Sequence, residues 1–345
     1  MQLPAEIPFQ KLLDSLLDVE TPLNPRYLYR LSDLESPELE QLQMAWPNIP
    51  AWRRQALLED IEELNENDML LSFESLGRFA LQDEDAKVRL LAVRILWEFE
   101  ETSLIPVFSR LMISDSDSEV RAAAASALGR FVYAGELEEL PQHTLHSIQE
   151  TLLGVVNGSG APEVRRSALE SLGYSSRDEV TPLVEKAFAS DDKYWKASAL
   201  FAMGRSANQQ WAPTILAMLD STLPLLRSEA ARAAGELEIA EATPHLLDLL
   251  DDPDDNTRQA SIWSLSQIGG EGVRDTLQTL YDETDNEQEL ELLESALDNL
   301  TFNESLQLVP MFDFPKAEDD EEEDWYEEYD LEDLDEIFED DEDAE

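Results

Sequence analysis

The chain contains no cysteine, which excludes disulfides, thiolate-bound metals and a cysteine nucleophile. Histidine is nearly absent: His143, His146 and His245 are the whole supply. His143 and His146 stand three apart in QHTLHS and share a helical face. With no third ligand at a defined spacing they do not specify a metal site. Cations are scarce too, with 24 Lys and Arg against 77 Asp and Glu, a net charge of −53. Such a surface repels nucleic acid and anionic membranes and favours basic partners, although the same composition also serves solubility alone. No apolar run reaches the roughly 18 residues a membrane helix needs. The opening MQLPAEIPFQKLLDSLL lacks a basic region followed by a continuous apolar one, so it reads as a mature start, and cytoplasm is the expected compartment. There is no phosphate loop: Gly158, Gly160, Gly269, Gly270 and Gly272 read as turn glycines. The acids Asp251 to Asp255 lack the order of a calcium loop and its terminal Glu. No catalytic residue, cofactor or metal is therefore expected.

What the chain does have is repetition. One pattern recurs: an apolar residue, Arg, two residues, Ala, three residues, then Leu-Gly. It appears at Val120-Arg121, Ala124, Leu128-Gly129 and again at Val164-Arg165, Ala168, Leu172-Gly173. Further copies run Trp195-Lys196, Ala199, Met203-Gly204 and Leu226-Arg227, Ala230, Ala234-Gly235, with weaker ones at Thr257-Arg258 and Val88-Arg89. From 164 to 257 the step is 31 residues, three times over, and Pro182, Pro213 and Pro244 keep the same step. Proline suits the first turn of a helix, so each unit reads as a pair of helices, one starting near the proline and one near the Arg. Thr181 and Thr243 are expected to cap the first helices, and the glycine after each second helix to be a left-handed C-cap. Acidic turns separate the two helices. The apolar, Ala and Leu slots lie four apart and share one face, and the Ala slot is small so that the paired helix can approach. One pair cannot bury its apolar face alone, so neighbours must stack.

These residues resemble the HEAT-repeat family, and most of all the short bacterial HEAT-like repeats of phycobilin lyases; the stretch ATPHLLDLLDDPDDNTRQASIWSL lies close to that unit. The resemblance covers roughly residues 70–300. It implies an all-α fold, a right-handed HEAT-type α-solenoid whose second helices line the concave side. Iron-binding HEAT-like enzymes of the deoxyhypusine hydroxylase type use repeated His-Glu pairs, and no His here precedes a Glu. HEAT-like DNA glycosylases need a basic groove, which the charge opposes.

The expected domains are an irregular helical cap over 1–69, the array over 70–300, a linker over 301–315 and a disordered acidic tail over 316–345. Leu293, in EQELELLESALDNL, takes the Arg position, as suits a terminal unit. From 120 to 164 the step lengthens to 44 residues, an insertion of about thirteen around GELEELPQHTL. The tail carries 20 acids and one base, too polar to offset chain entropy by burial. Yet Trp325, Tyr326, Tyr329, Leu331, Leu334, Ile337 and Phe338 are set among those acids, as in a segment that folds on a partner.

Two sets of arginines are distinguished by position. Arg89, Arg121, Arg165, Arg227 and Arg258 follow the apolar slot and are expected to form a structural ladder to the acidic turns. Six and ten residues after that slot another face should appear, holding Arg94, Phe201, Arg232 and Trp263, then Arg130, Tyr174 and Arg205. This aromatic and Arg stripe, with Trp325, Tyr329, Leu334 and Phe338 of the tail, is the candidate partner-binding set. The expectation is a non-enzymatic scaffold for a protein partner with basic surfaces, using neither nucleic acid nor membrane. The alternative is a phycobilin-lyase-like or chaperone-like subunit acting on a chromophore-bearing protein.

Overall fold

The computed structural model describes residues 7–68 and 70–308. The acidic segment 316–345, with its expected disorder, lies outside the described residues. The helices run α1 Phe9–Leu17, α2 Ser36–Ala45, α3 Ala51–Asn67, α4 Glu74–Ala80, α5 Ala86–Leu96, α6 Ile105–Ser114, α7 Ser118–Glu136, α8 Gln142–Asn157 and α9 Pro162–Leu172. They continue as α10 Val180–Phe188, α11 Lys193–Arg205, α12 Ala212–Leu219, α13 Pro224–Glu236, α14 Thr243–Asp248, α15 Asp255–Ile268, α16 Val273–Glu283 and α17 Glu287–Leu308. Among the described residues there is no strand, and no helix is long and apolar enough to cross a membrane. One compact unit extends to Thr301. The last helix runs past the expected boundary at residue 300.

From α4 onward the helices alternate as first and second members of pairs. Each second helix packs extensively on the next, α5 on α7, α7 on α9, and so on through α15. The first helices, α6 and α8 excepted, do not pack extensively on one another. Stacking that is tight on one side and open on the other is an α-solenoid, with the second helices along the inner edge. The apolar slots fill one continuous core from Phe9 to Leu300. Val88, Ala92 and Leu96, like Val120, Ala124 and Leu128, are fully buried. The long step between Val120 and Val164 lengthens helices: α7 spans 19 residues and α8 spans 16.

The prolines sit where expected. Short 3-10 turns at Thr102–Leu104, Gln209–Trp211 and Ala240–Ala242 lead into α6, α12 and α14, whose first turns hold a proline. The expected threonine caps are corrected. Thr181 and Thr243 lie inside the first turns of α10 and α14, and neither helix has a side-chain cap. The chain is already helical before each proline, through a 3-10 lead in the case of α14, so the cap position falls one or two residues earlier, at Glu179 and Ala242.

Four of the second helices, α5, α7, α11 and α15, are capped by aspartates instead, whereas α9 and α13 begin at a proline without a side-chain cap. Asp85 accepts from Val88 N–H at 3.1 Å, Asp117 from Glu119 at 2.8 Å, Asp192 from Tyr194 at 2.8 Å and Asp254 from Thr257 at 2.9 Å. Two residues earlier another aspartate works between units. Asp115 takes a two-pronged contact from Arg89 at 2.7 and 2.8 Å, and Asp252 takes one from Arg227 at 2.7 and 2.8 Å. Each of these carboxylates also accepts the N–H of its own cap, Asp117 or Asp254. The ladder arginines are thus structural, and they work in two ways. Arg89 and Arg227 reach across to the next unit; Arg121 and Arg258 bond the carbonyls of Asp115 and Asp252 within their own turn. Arg165 donates to Val156 O at 3.0 Å and stacks over Trp195. The N-terminal region joins the same scheme, since Arg54 of α3 reaches Asp83 at 3.2 Å. Its neighbour Arg53 is buried and donates to the carbonyls of Ser15 and Thr21, which fastens the segment after α1.

The expected left-handed glycine caps are also corrected. Gly129, Gly204 and Gly235 lie within α7, α11 and α13, and Gly173 has φ −52°, an ordinary helical value. Each faces a small residue of the next second helix: Ser171, Ala202, Ala233 and Ser264 in turn. A Cβ on any of the four would come within 3.2 Å of a Cα there, so glycine is required by helix approach. The left-handed position falls three residues later, on Ala207 at φ 49° and Glu238 at φ 49°. Ile239 N–H then closes the turn onto Ala234 O.

Candidate functional site

The second helices present the stripe as one inner face, but its members do different things. Tyr174, Phe201 and Arg205 come together. The Arg205 guanidinium lies 4.0 Å from the Phe201 ring centroid and 4.6 Å from that of Tyr174, so it is held between two rings. Tyr133, on α7 and half exposed at 49%, extends the cluster, its ring 5.1 Å from Tyr174. Arg205 Nε is buried without a hydrogen-bond partner, and burial pushes its pKa below the usual arginine value. Burial likewise raises the Tyr174 phenol.

Carboxylates surround this stack. Glu170 accepts a hydrogen bond from Ser198. Glu229 lies on α13, its Oε2 buried with no partner, and burial raises its pKa with Glu170 and Glu236 adding like charge. Glu236 is solvent-exposed, yet partial desolvation on the crowded face raises its carboxyl as well. Glu229 was absent from the sequence reading. Its register, three after the apolar slot, holds Ala123, Ser167 and Ser198 in the preceding units, so a lone Glu among small residues was the available signal.

The other stripe cations are spent locally or stand apart. Arg94 pairs with Glu62 at 3.5 Å and Arg130 with Glu100 at 2.7 Å. Arg232 is exposed and Trp263 half-buried, and neither joins the stack. Trp325, Tyr329, Leu334 and Phe338 lie outside the described residues.

A second feature lies toward the N-terminus of the inner face. Between α3, α5, α7 and α9 there is a groove of about 540 Å³. Its floor includes Val93, Ala122, Ala123 and Ser126. The run RAAAASA gives α7 a thin face there, and the thinness leaves the space. Trp97, half exposed at 49%, stands at the edge with Arg94 and four glutamates, Glu62, Glu98, Glu119 and Glu163. The sequence places Arg94 on this face but gives no sign of the groove. Among the described residues no group of three His, Asp or Glu is arranged to hold a metal ion.

No curated protein matches the chain. Among solved structures, Escherichia coli YibA is similar at 16% identity over 79% of this chain and 95% of its own, with a TM-score of 0.40. The complex of CpcE and CpcF of phycocyanin lyase from Nostoc sp. PCC7120 is similar at 18% identity, covering 66% of this chain and 94% of that one, with a TM-score of 0.42. Human deoxyhypusine hydroxylase in complex with glycerol is similar at 18% identity, covering 85% and 96%, with a TM-score of 0.37. At these TM-scores the likenesses carry no argument about this chain. The family model for HEAT repeats matches residues 74–147, 180–255 and 212–298. That is more than half of the chain, and the matched stretches are the stacked helix pairs described above, so the chain belongs to the HEAT-repeat family.

Proposed function

We propose that the chain is a non-enzymatic scaffold that holds a protein partner against its inner face, and that the contacting surface of the partner is basic. The observation that carries this reading is the Tyr174, Phe201 and Arg205 stack. Aromatic and Arg side chains dominate binding energy when they are desolvated and already ordered. Here the guanidinium is fixed between two rings before any partner arrives, so little side-chain entropy remains to be lost. The carboxylates of Glu170, Glu229 and Glu236 around it favour a cationic side chain opposite, as does the net charge of −53. In this reading the acidic-aromatic segment 316–345 supplies a second contact, and the compartment is the cytoplasm.

The test is affinity purification from the native source with wild type and with Phe201→Ala/Arg205→Ala, quantified by mass spectrometry. Circular dichroism must first show both proteins equally helical. Recovery of the partner should fall about tenfold or more in the double variant, the loss typical of a central anchor. Equal recovery would move the binding site elsewhere. An absorbance spectrum of the purified native protein addresses the lyase-like alternative, because a bound chromophore would favour it.

A further inference from the structure

The groove between α3, α5, α7 and α9 differs from the stack in kind. Its floor is thin and, Ser126 apart, apolar, its rim is charged, and the rim charge is unbalanced. Arg94 is the rim's cation and is committed to Glu62. Glu98 and Glu119 are exposed and have no ion-pair partner among the described residues. Glu163 is hydrogen-bonded by Ser118 and lies near Arg166 and Arg121, which keeps its carboxyl ionised, below the usual carboxylate range. Carboxylates above a low-dielectric floor focus their field into the cleft and concentrate cations there. Trp97 is half exposed, and an indole ring attracts a guanidinium or an ammonium.

These features select an occupant by sign and shape. The chain's own acidic segment, with 20 acids against one base, is repelled, and so is a second copy of a chain of charge −53. Nucleic acid is excluded on the same ground. The alanine floor has room for an apolar side chain but offers a polar one few partners.

We propose that this groove binds a basic segment of a protein partner, seating one apolar side chain on the alanine floor with arginines or lysines on either side directed to Glu98, Glu119 and Trp97. The proposal rests on the scaffold reading and adds the place and chemistry of one contact.

The experiment is selection of a random-peptide display library on the immobilised full chain, followed by fluorescence anisotropy of an enriched peptide. Three variants separate the outcomes. Glu98→Gln/Glu119→Gln/Glu163→Gln neutralises the rim. Ser126→Trp fills the groove from an exposed position. Glu185→Gln/Glu241→Gln/Asp275→Asn removes the same charge from exposed sites away from the groove. Expected are peptides with an apolar residue between cations, whose affinity falls about tenfold in the rim variant, as the loss of ion pairs to Glu98 and Glu119 together with the nearby charge of Glu163 would give. Ser126→Trp should lose binding, and the remote variant should change it less than about twofold, the effect of general charge alone. Enrichment of peptides without cations, or equal losses in rim and remote variants, overturns the proposal. Binding that survives both groove variants but is lost in Phe201→Ala/Arg205→Ala overturns the groove and leaves the scaffold reading standing. No enrichment at all overturns the groove, and the scaffold reading then stands or falls on the partner purification.

Discussion

A Cβ placed on Gly173, at the end of α9, would lie 2.8 Å from the Cα of Ala202 in α11 and 2.9 Å from its carbonyl oxygen. Consecutive second helices therefore meet backbone to backbone, and the solenoid has no slack at these points. Gly173→Ala should destabilise the protein by about 1–3 kcal/mol, the usual cost of overpacking. Gly154, in the last turn of α8, has nothing within 4 Å of such a Cβ. Gly154→Ala should instead stabilise by up to about 1 kcal/mol through helix propensity alone. Denaturant melts of the two variants give the comparison. Opposite signs are expected, and a Gly173→Ala protein as stable as wild type would mean that the helices separate freely.

The left-handed residues give the converse case. Ala207 and Glu238 occupy φ near 49°, a region that costs a side-chain-bearing residue about 1 kcal/mol. Ala207→Gly and Glu238→Gly should each raise stability by several tenths of a kcal/mol or more, after the extra entropy that glycine gives the unfolded chain is subtracted. A fall in melting temperature for both would show that their side chains contribute contacts that outweigh the strain.

Much of this fold was legible in the sequence for a physical reason. The 31-residue step, the prolines and the Arg slots are each set by requirements local to one unit, and local requirements leave a periodic trace. Residues such as Leu226, Ala230 and Arg227 could be assigned to core or ladder from their register alone. What did not show was the distance between helices. Gly173 has the same letter whether it caps a helix or admits a neighbour, and only the approach of Ala202 decides between them. The groove was hidden for the same reason, because Ala122 and Ala123 lie outside the core slots and show a space above them only once the spacing of α5, α7 and α9 is known. The stack was partly visible: Tyr174, Phe201 and Arg205 share a stripe in the sequence, while Glu229 and Tyr133 lie at other registers.

The Arg227 to Asp252 contact sets a pH dependence. The hydrogen bonds from Arg227 hold the Asp252 carboxyl below its ordinary value of 3.8. A group with a depressed folded pKa contributes stability that is present above its unfolded pKa and is lost as pH falls through the folded one. The contribution is therefore complete at neutral pH, begins to fall near pH 4 and is lost as the pH drops through the depressed folded value. Arg227→Ala should cost about 2 kcal/mol at pH 7, since it strands a nearly buried carboxylate. The gap to wild type should narrow as the pH is taken toward 3. Melting curves across that range check the sign, and a constant gap would mean that packing of the Arg stem is what matters.

Glu229 has the opposite sign. Its carboxyl is raised above 4.5, first by burial and then by Glu170 and Glu236. The ionised form is penalised in the folded state, so this group lowers stability as pH rises from its unfolded value through its folded one. Glu229→Gln should raise the melting temperature at pH 7 and leave it unchanged near pH 3. Loss of stability at neutral pH would show that the ionised carboxylate is held by Arg232 and Arg205 strongly enough to outweigh its desolvation.

The cations of the inner face bear on where the acidic segment 316–345 goes. Arg94 is paired with Glu62, Arg130 with Glu100, and Arg205 is enclosed by Tyr174 and Phe201. Of the stripe cations Arg232 is left exposed without an ion pair among the described residues, beside Glu229 and Glu236. An acidic peptide docking on the same molecule must displace these carboxylates or add to a surface of its own sign. Tethering raises the effective concentration of such a peptide to the millimolar range, but that helps only where a weak attraction already exists. Binding to a separate basic partner carries no such opposition. Truncation after Pro315 should therefore leave helicity and the melting transition unchanged. An isotope-labelled 316–345 peptide, mixed at low salt with the truncated chain, should show neither shifts nor broadening at Trp325, Tyr329 and Phe338. Saturable shifts at those residues, abolished by Arg232→Ala, would place the segment on its own inner face instead.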